Sequence, residues 1–352
     1  MAIGREDATK TGRAMRAPTL ADVAASAGVS VSTAGRVLRD QGWPVEESLK
    51  ERVRAAAIEL GYVPNVMART LRAGAPALVG LVIGNMLDPY YGEIAETVTC
   101  YSETTSRMLT MVCNMQRDPR LELDYCRRLW EHRVAGLILA GGGFDQFTYH
   151  DDLALLVEKM ERSGVIVTTL SPRDLESPAF HTDNVEAGRC AARELISVGH
   201  REIGILVGPI RNRVLTQRVA GITAACEEAG LSVHLVETEF GASWVAPAIA
   251  QMFEQRPTIT AIVAASGVTS INVIRAVTAT GRSVPEDISV IGIGGRAIGE
   301  WGARMTRVDL GLETCGRAAL DYIAARVEGR PTAPAFRLEP TIAGGGSVAP
   351  PK

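Results

Sequence analysis

The sequence predicts an α/β protein with an N-terminal all-α helix-turn-helix head and a two-lobed, doubly wound body built on parallel sheets. Two short helical segments that flank a glycine turn indicate the head. Behind them, apolar runs of strand length alternate with helical stretches, and this series occurs twice along the chain. The 352 residues are enough for a small head and two lobes.

The composition is that of a globular protein, with 46% hydrophobic and 22% charged residues. No run approaches the roughly 18 apolar residues of a membrane span, and the polar N-terminus does not resemble a signal peptide, so we expect a cytoplasmic protein. The six cysteines and five histidines are scattered, without the spacing of metal ligands. We therefore expect buried, reduced thiols and no metal or cofactor.

The charge is unevenly distributed along the chain, although the net charge is only −3. Residues 1–72 carry 11 Lys/Arg and 8 Asp/Glu, whereas the remainder carries 26 and 32. A basic head suits contact with DNA, because neutralising phosphates supplies most non-specific affinity. Residues 1–18 are predicted to be a flexible tail, in which several basic side chains either contact phosphates or are simply solvated.

Residues 19–63 are predicted to form the helix-turn-helix domain. Thr19 is a good N-cap for the first helix, Gly28 ends it, and Ser30 caps the second. The inner faces of the two helices are expected to be Leu20, Val23, Ala24, Ala27, Ala34, Val37 and Leu38. A third helix is predicted over 46–60, with an inner face of Val53, Ala56, Ala57 and Leu60. Pro64 and Gly74 then bound a short hinge helix within 64–75.

The body is predicted over 76–343. Its candidate strands are 77–84, 108–113, 135–140 and 165–170, then 202–207, 233–236, 261–265 and 288–293. The helical stretches between them include 91–106, 121–132, 185–198, 214–229 and 268–280. The first lobe is assigned to 76–173 and 306–331, with a strand at 306–309 and the last helix at 312–327. The second lobe is assigned to 174–305 and 332–343.

Ligands bind such sheets at the carboxyl ends of the strands, so a site is expected in the cleft between the lobes. The last segment, 344–352, is predicted to be a flexible tail. It has no heptad pattern for a tetramerising helix, so the expected state is a dimer.

Two segments of the chain resemble one family. TLADVAASAGVSVSTAGRVL and ELGYVPNVMARTLRAGAPALVGLVIGN are similar to the head and hinge of the lac repressor family, and the likeness continues at lower strength to about residue 343. The resemblance implies a homodimeric transcription regulator, most often a repressor. Its body would be like a periplasmic binding protein and would bind a small-molecule effector. The sequence shows no Ser/His/Asp nucleophile arrangement and no paired-carboxylate motif, so catalysis is not expected.

The resemblance also implies DNA contacts. Val31, Ser32 and Arg36 would face base edges in the major groove, where arginine forks onto guanine; a phosphate contact by Arg36 is the alternative. Leu71 would wedge into the minor groove, with Arg69 and Arg72 beside it, or else pack two hinges together. Further contact positions are Thr19, Thr33, Arg39, Asn65 and Ala68. The chain departs from the family at Gly35, Arg39 and Glu46.

Effector contacts are implied for Asp88, Tyr90, Tyr91, Arg218 and Phe240. The alternatives are a structural ion pair for Arg218, core packing for Phe240 and lobe closure by the tyrosines. Where sugar-binding relatives carry Asn-Asp and a further Asp, this chain has Ser266-Gly267 and Gly294-Gly295, with Arg296 close by. Ser266, Gly294 and Arg296 are therefore expected as further effector contacts. Losing carboxylates while keeping arginines, and exposing backbone N–H groups, favours an anionic effector such as a sugar acid or phosphate. A lost effector site or a flat apolar ligand is the alternative.

Two other classes remain open at this point. The run from Ile288 to Ala297 fits the strand-GxGxxA fingerprint of dinucleotide enzymes, but too little chain follows for a nucleotide-binding half. A periplasmic solute-binding protein would share the two-lobed body. It would need an export signal and would lack the head.

Overall fold

The computed structural model describes residues 18–38, 46–63, 78–141, 149–298 and 305–352. The chain divides into two compact units, a head (Met1–Gly74) and a body (Ala75–Lys352). Among the described residues, no helix combines the length and apolar character needed to cross a membrane. Cys126, Cys226 and Cys315 are buried, but Cys100 is exposed, contrary to the expectation that all six thiols are buried.

The described head contains α1 (Leu20–Ala27), α2 (Val31–Val37) and α3 (Glu47–Glu59). Thr19 caps α1 in a reciprocal capping box with Asp22, and Gly28 follows it with a left-handed φ of 64°. Small side chains let the helices pack closely around a core of Val23, Ala24, Ala27, Ala34, Val37, Val53, Ala56 and Ala57. Leu60 lies outside that core with 38% exposure, because α3 ends one residue before it.

The first lobe contains a parallel sheet of four strands in the order β2-β1-β3-β4. Its elements are β1 (Leu78–Ile83), α4 (Pro89–Tyr101), β2 (Leu109–Asn114), α5 (Pro119–Glu131), β3 (Gly136–Leu139), α6 (His150–Arg162) and β4 (Ile166–Thr169). Buried apolar runs such as that of β1 are typical of parallel strands covered on both faces. Helix α4 is followed by a π-helical turn, Ser102–Ser106, where the sequence predicts one continuous helix.

The second lobe follows the short crossover strand β5 (Phe180–Thr182). Its sheet has six strands in the order β12-β10-β9-β8-β6-β7. Its elements are α7 (Asn184–Ser197), β6 (Ile203–Val207), α8 (Arg213–Glu228), β7 (Val233–Glu237), α9 (Val245–Gln255), β8 (Ala261–Ala264), α10 (Gly267–Ala279), β9 (Ser289–Gly294) and β10 (Thr306–Asp309). The chain ends with α11 (Leu312–Val327), β11 (Phe336–Leu338) and β12 (Thr341–Ala343).

One lobe assignment made from the sequence needs correction. Strand β10 pairs in parallel with β9 and therefore belongs to the second sheet, not to the first lobe. Helix α11 does return to the first lobe, where it packs against α4 and β4. The strand and the helix separate because the chain crosses between the lobes after β10.

The prediction of a flexible tail at 344–352 is also wrong. Ser347 is 2% exposed, donates to the Val290 carbonyl and accepts from the Thr306 amide at 2.8 Å. The Ala349 carbonyl accepts from Ser289 Oγ at 3.0 Å and lies 2.9 Å from His200 Nε2. The tail thus satisfies backbone groups of β9 and β10, which composition alone cannot reveal.

Candidate DNA-reading helix and inter-lobe cleft

Helix α2 separates its side chains into a buried face and an exposed face. Ala34 and Val37 are buried against α1 and α3, while Val31, Ser32 and Arg36 are exposed. These three are the residues that the sequence analysis expects to face DNA bases. A hydroxyl, a β-branched apolar group and a guanidinium together offer hydrogen bonds and a methyl contact to base edges.

The other predicted DNA-contact residues in the described head, Thr19 and Thr33, make hydrogen bonds at helix N-termini. Thr19 donates through Oγ1 to Asp22 at 2.7 Å, and Thr33 Oγ1 lies 2.8 Å from Ser30 Oγ, the N-cap of α2. Glu46 makes no side-chain cap bond at α3, in keeping with its poor capping chemistry. The remaining predicted DNA-contact residues lie outside the described part of the chain: Arg39, Asn65, Ala68, Arg69, Leu71 and Arg72.

The cleft between the two lobes encloses about 500 Å³ of space, part of it open to solvent. Every lining segment follows the carboxyl end of a strand, as expected for parallel sheets. The first lobe contributes Asp88, Tyr90, Tyr91, Arg117, Ala140 and Ser171. The second contributes Asn212, Val214, Leu215, Arg218, Phe240, Ser266 and Gly267.

Arg218 is a buried cation whose hydrogen-bond acceptors among the described residues are neutral. It is 3% exposed, and it donates through Nε to Asn184 Oδ1 at 3.0 Å and through Nη1 to the Ala265 carbonyl at 2.9 Å. Both acceptors are neutral, and no ion pair joins it to a carboxylate among the described residues. Burial lowers the pKa of Arg218, with Tyr90 and Asp88 acting in the opposite direction. These contacts do not match a structural salt bridge, which was the alternative role considered for Arg218 from the sequence.

Asp88 and Arg117 form the second charged feature of the cleft. Asp88 caps α4 by accepting from the Tyr90 amide at 3.1 Å, and its other oxygen accepts from Arg117 Nη2 at 2.9 Å. Burial raises the pKa of Asp88, and the adjacent Arg117 opposes that rise. The Arg117 guanidinium carbon lies 4.0 Å from the centroid of the Phe240 ring. Arg117 was not among the residues predicted from the sequence, because the Gln-Arg pair before Asp118 belongs to no recognisable motif.

Neutral polar groups complete the cleft. Ser171 Oγ is buried and has no hydrogen-bond partner among the described residues. Asn212 uses its Oδ1 to cap α8, accepting from the Val214 amide at 3.0 Å. Ser266 caps α10 in a box with Thr269. Buried polar groups normally have partners, so Ser171 Oγ is an unsatisfied hydrogen-bonding group in the lining of the cleft.

The two tyrosines pack edge-to-face, with ring centroids 5.0 Å apart. Both line the cleft, and burial raises the pKa of each hydroxyl. The Tyr91 ring lies against Gly84 at the end of β1, where an added Cβ would be 2.5 Å from ring atoms. Tyr91 therefore contributes to closing the first lobe as well as to lining the cleft.

Gly294 and Gly295 do not present free backbone to the cleft. An added Cβ at Gly294 would lie 2.1 Å from Ile298, and one at Gly295 would lie 2.2 Å from Glu93 Oε2. The Glu93 carboxylate, 6% exposed, accepts from the Ala297 amide at 3.3 Å. Because the protein's own carboxylate occupies this strand end, it does not serve as an anion cradle or as the pyrophosphate site of a dinucleotide fold.

Arg296 also lies outside the residues that line the cleft. Its guanidinium contacts Glu96 at 2.8 Å and Glu313 at 3.4 Å, both on helices of the first lobe. It therefore joins the two lobes by ion pairs. Of the eight effector positions expected from the sequence, the cleft brings together Asp88, Tyr90, Tyr91, Arg218, Phe240 and Ser266.

A helix with an exposed polar face and a two-lobed body with a polar cleft define the class of ligand-responsive DNA-binding regulators. Two family models match the chain: the lacI family of bacterial regulatory proteins over residues 19–65, and a periplasmic binding protein-like domain over 192–348. The transcriptional repressor PurR of Proteus mirabilis is 30% identical over 339 residues, covering 94% of this chain and 97% of that protein. The chain belongs to the lacI family of bacterial regulatory proteins.

Other relatives agree in architecture. The transcriptional regulator DegA of Bacillus subtilis is 28% identical over 289 residues, 81% of this chain and 84% of its own length. A lac repressor dimer bound to operator and an anti-inducer superposes with a TM-score of 0.78 at 22% identity, covering 95% of this chain and 100% of that one. A CelR–cellobiose complex gives 0.66 at 26% identity, covering 94% and 99%. The protein is thus a DNA-binding transcriptional regulator with an effector-binding body.

Proposed function

We propose that the protein is a homodimeric repressor that reads its operator with α2 and changes its DNA affinity when a small anionic molecule binds in the inter-lobe cleft. The observation that carries the proposal is Arg218, a buried guanidinium held by neutral oxygens in a cavity between two lobes. Relatives with this architecture are named as repressors, and one was solved as a dimer on operator DNA. Catalysis has no role in this proposal.

The charges lining the cleft favour an anion. Among the described lining residues, Arg117 and Arg218 supply two positive charges and Asp88 one negative charge, an excess of one positive charge. Asp88 is bonded to Arg117, so no carboxylate in the described part of the chain forms an ion pair with Arg218. An arginine fork fits a carboxylate or phosphate, and burying an unpaired charge is unfavourable unless a partner arrives.

Hydrogen-bonding groups near Arg218 suit a polyhydroxylated or otherwise polar ligand. Ser171 Oγ is unpartnered among the described residues, and Asn212 also lines the cavity. A sugar acid or sugar phosphate combines an anionic group with hydroxyls, and it is the ligand class that we infer. The cellobiose complex of a related regulator supports a sugar-like ligand in this fold.

Calorimetry on the full chain tests the effector class with glucose, gluconate and glucose 6-phosphate, which share a carbon skeleton and differ in charge. We expect an acidic member to bind at least tenfold more tightly than glucose, and Arg218→Gln to remove that preference. Arg218→Lys, which keeps the charge but loses the fork, should retain part of it. Tight binding of glucose that Arg218→Gln leaves unchanged would rule out an anionic effector.

The effect on DNA is measured separately. A duplex selected from random sequences serves as the operator. The affinity of the protein for this duplex is compared in the presence and absence of the acidic ligand that binds in calorimetry. We expect at least a tenfold change, since coupling between sites in such regulators is typically 5–150-fold. An unchanged operator affinity at saturating ligand would contradict a regulatory role for the cleft.

A further inference from the structure

Two consecutive residues at the mouth of the cleft adopt a left-handed backbone. Gln116 and Arg117 have φ values of 52° and 59°, and neither is glycine. Non-glycine residues are uncommon in the left-handed region of backbone conformation, and they persist there only where surrounding contacts impose it. The chain therefore maintains an unfavourable turn immediately after β2, and that turn directs the Arg117 side chain.

Three hydrogen bonds impose this turn. The Arg117 amide donates to the Gly84 carbonyl at 2.8 Å. Asn114 Oδ1 accepts from the Gln116 amide and from the Met86 amide, each at 3.3 Å. The loops that follow β1 and β2 are thereby joined, and the position of Arg117 is set by the first lobe alone.

From this position Arg117 reaches the opposite lobe. Its side chain is 15% exposed, pairs with Asp88 of its own lobe, and places its guanidinium carbon 4.0 Å from the Phe240 ring centroid. This distance is typical of a guanidinium stacked on an aromatic ring, so the Arg117 guanidinium covers one face of the Phe240 ring. The ring is also held elsewhere, because an added Cβ at Gly208 would lie 3.2 Å from its Cε1.

We propose that Arg117 determines ligand shape: it takes the stacking position on Phe240, so the cleft admits compact, non-planar molecules and excludes flat rings. A flat ligand would have to displace the guanidinium from the ring and break its bond to a buried carboxylate. This inference rests on the proposed role of the cleft in ligand binding but not on the charge of the ligand.

Two neutral probes of equal size separate shape from charge. Benzamide is flat, whereas cyclohexanecarboxamide has the same number of heavy atoms in a puckered ring. The full-length variant Asp88→Asn/Arg117→Ala uncovers the ring without leaving a buried carboxylate unpaired, and Asn keeps the N-cap of α4. The matched control, Asp88→Asn/Arg117→Met, keeps side-chain bulk over the ring.

We expect calorimetry to show that Asp88→Asn/Arg117→Ala binds benzamide at least ten times more tightly than the wild type or the methionine control. Its affinity for cyclohexanecarboxamide should change less than threefold. Equal benzamide binding by all three proteins, or no gain by the alanine variant, overturns the proposal. So does a wild-type preference for benzamide over cyclohexanecarboxamide, a measurement that needs no variant to fold. Because neither probe is charged and no DNA is present, the result is independent of the test with gluconate.

Discussion

At the scale of single residues, the environment of a charged group matters more than its type. Arg218 and Arg296 were both predicted to contact the effector, yet Arg218 is buried between neutral acceptors while Arg296 bridges Glu96 and Glu313. An arginine already paired with carboxylates has little electrostatic advantage left for a ligand. The case for an anionic effector therefore depends on Arg218, with Arg117 modifying the shape of the site.

Arg36→Ala tests the reading role of α2. We expect it to relax preference at one base position and to weaken operator binding by about 1–3 kcal/mol, because a guanidinium fork onto guanine is lost. Binding to a set of single-base operator variants at two salt concentrations measures this. Arg36→Lys should keep the salt dependence but lose most of the base preference. Uniform weakening across all variants would assign Arg36 to a phosphate instead.

Glu93→Gln tests the buried carboxylate beside Gly295. Burial raises the pKa of Glu93 above its usual 4.5, so the folded protein holds that proton to a higher pH than the unfolded chain. Stability from this group is therefore present at low pH and is lost as pH rises from about 4.5 through the raised pKa.

We expect the melting temperature of the wild type to fall more between pH 5 and pH 7 than that of Glu93→Gln, which has no proton to lose. The glutamine oxygen can still accept from the Ala297 amide. Asp88, whose pKa is also raised by burial, is present in both proteins and cancels in the comparison. Parallel pH profiles from scanning calorimetry would mean that Glu93 is not coupled to folding.

At the scale of elements, glycines set the distance between α7 and α8 and hence the position of Arg218. An added Cβ at Gly188 would lie 2.1 Å from the Arg218 carbonyl oxygen, and one at Gly221 would lie 1.9 Å from the Val185 carbonyl oxygen. Backbone atoms cannot move aside as side-chain ends can. The Gln-Arg-Val-Ala-Gly run from Gln217 to Gly221 thus contains both the cleft-lining Arg218 and the glycine that lets its helix pack against α7.

Gly188→Ala should destabilise the body by about 1–3 kcal/mol through overpacking, and it should also weaken ligand binding at Arg218. Chemical denaturation and calorimetry with gluconate measure the two effects. Gly92→Ala in helix α4 is the matched control, since an added Cβ at Gly92 would meet no atom within 4 Å. It should be neutral or stabilising by up to about 1 kcal/mol. Equal behaviour of the two variants would contradict the packing argument.

At the scale of the whole molecule, the proposed two-fold dimer requires a two-fold operator. We expect selection from random duplexes to recover an inverted repeat, because each subunit presents the same α2 face.

Leu71→Ala should reduce DNA bending and specific affinity while leaving the melting of the body unchanged, if that residue wedges between central base pairs. A circular-permutation gel assay measures the bend. An asymmetric selected site would contradict dimeric reading, and unchanged bending would contradict the wedge.

Local patterns determined much of this protein from sequence alone. The caps Thr19 and Ser30, Gly28 at the turn, and the alternation of apolar strands with helices predicted the head and the doubly wound lobes, because each depends on residues close along the chain. The last helix was predicted with its observed bounds, Leu312–Val327. The resemblance of the head and hinge to one family then added the regulatory function.

Tertiary structure alone decided the features that depend on residues far apart in sequence. It joined β10 to the second sheet, ordered the tail through Ser347, and filled the strand end at Gly295 with Glu93, which is more than 200 residues away. It also brought Arg117 onto Phe240 across the cleft. Such contacts follow from how whole elements pack rather than from local periodicity, so no sequence motif records them.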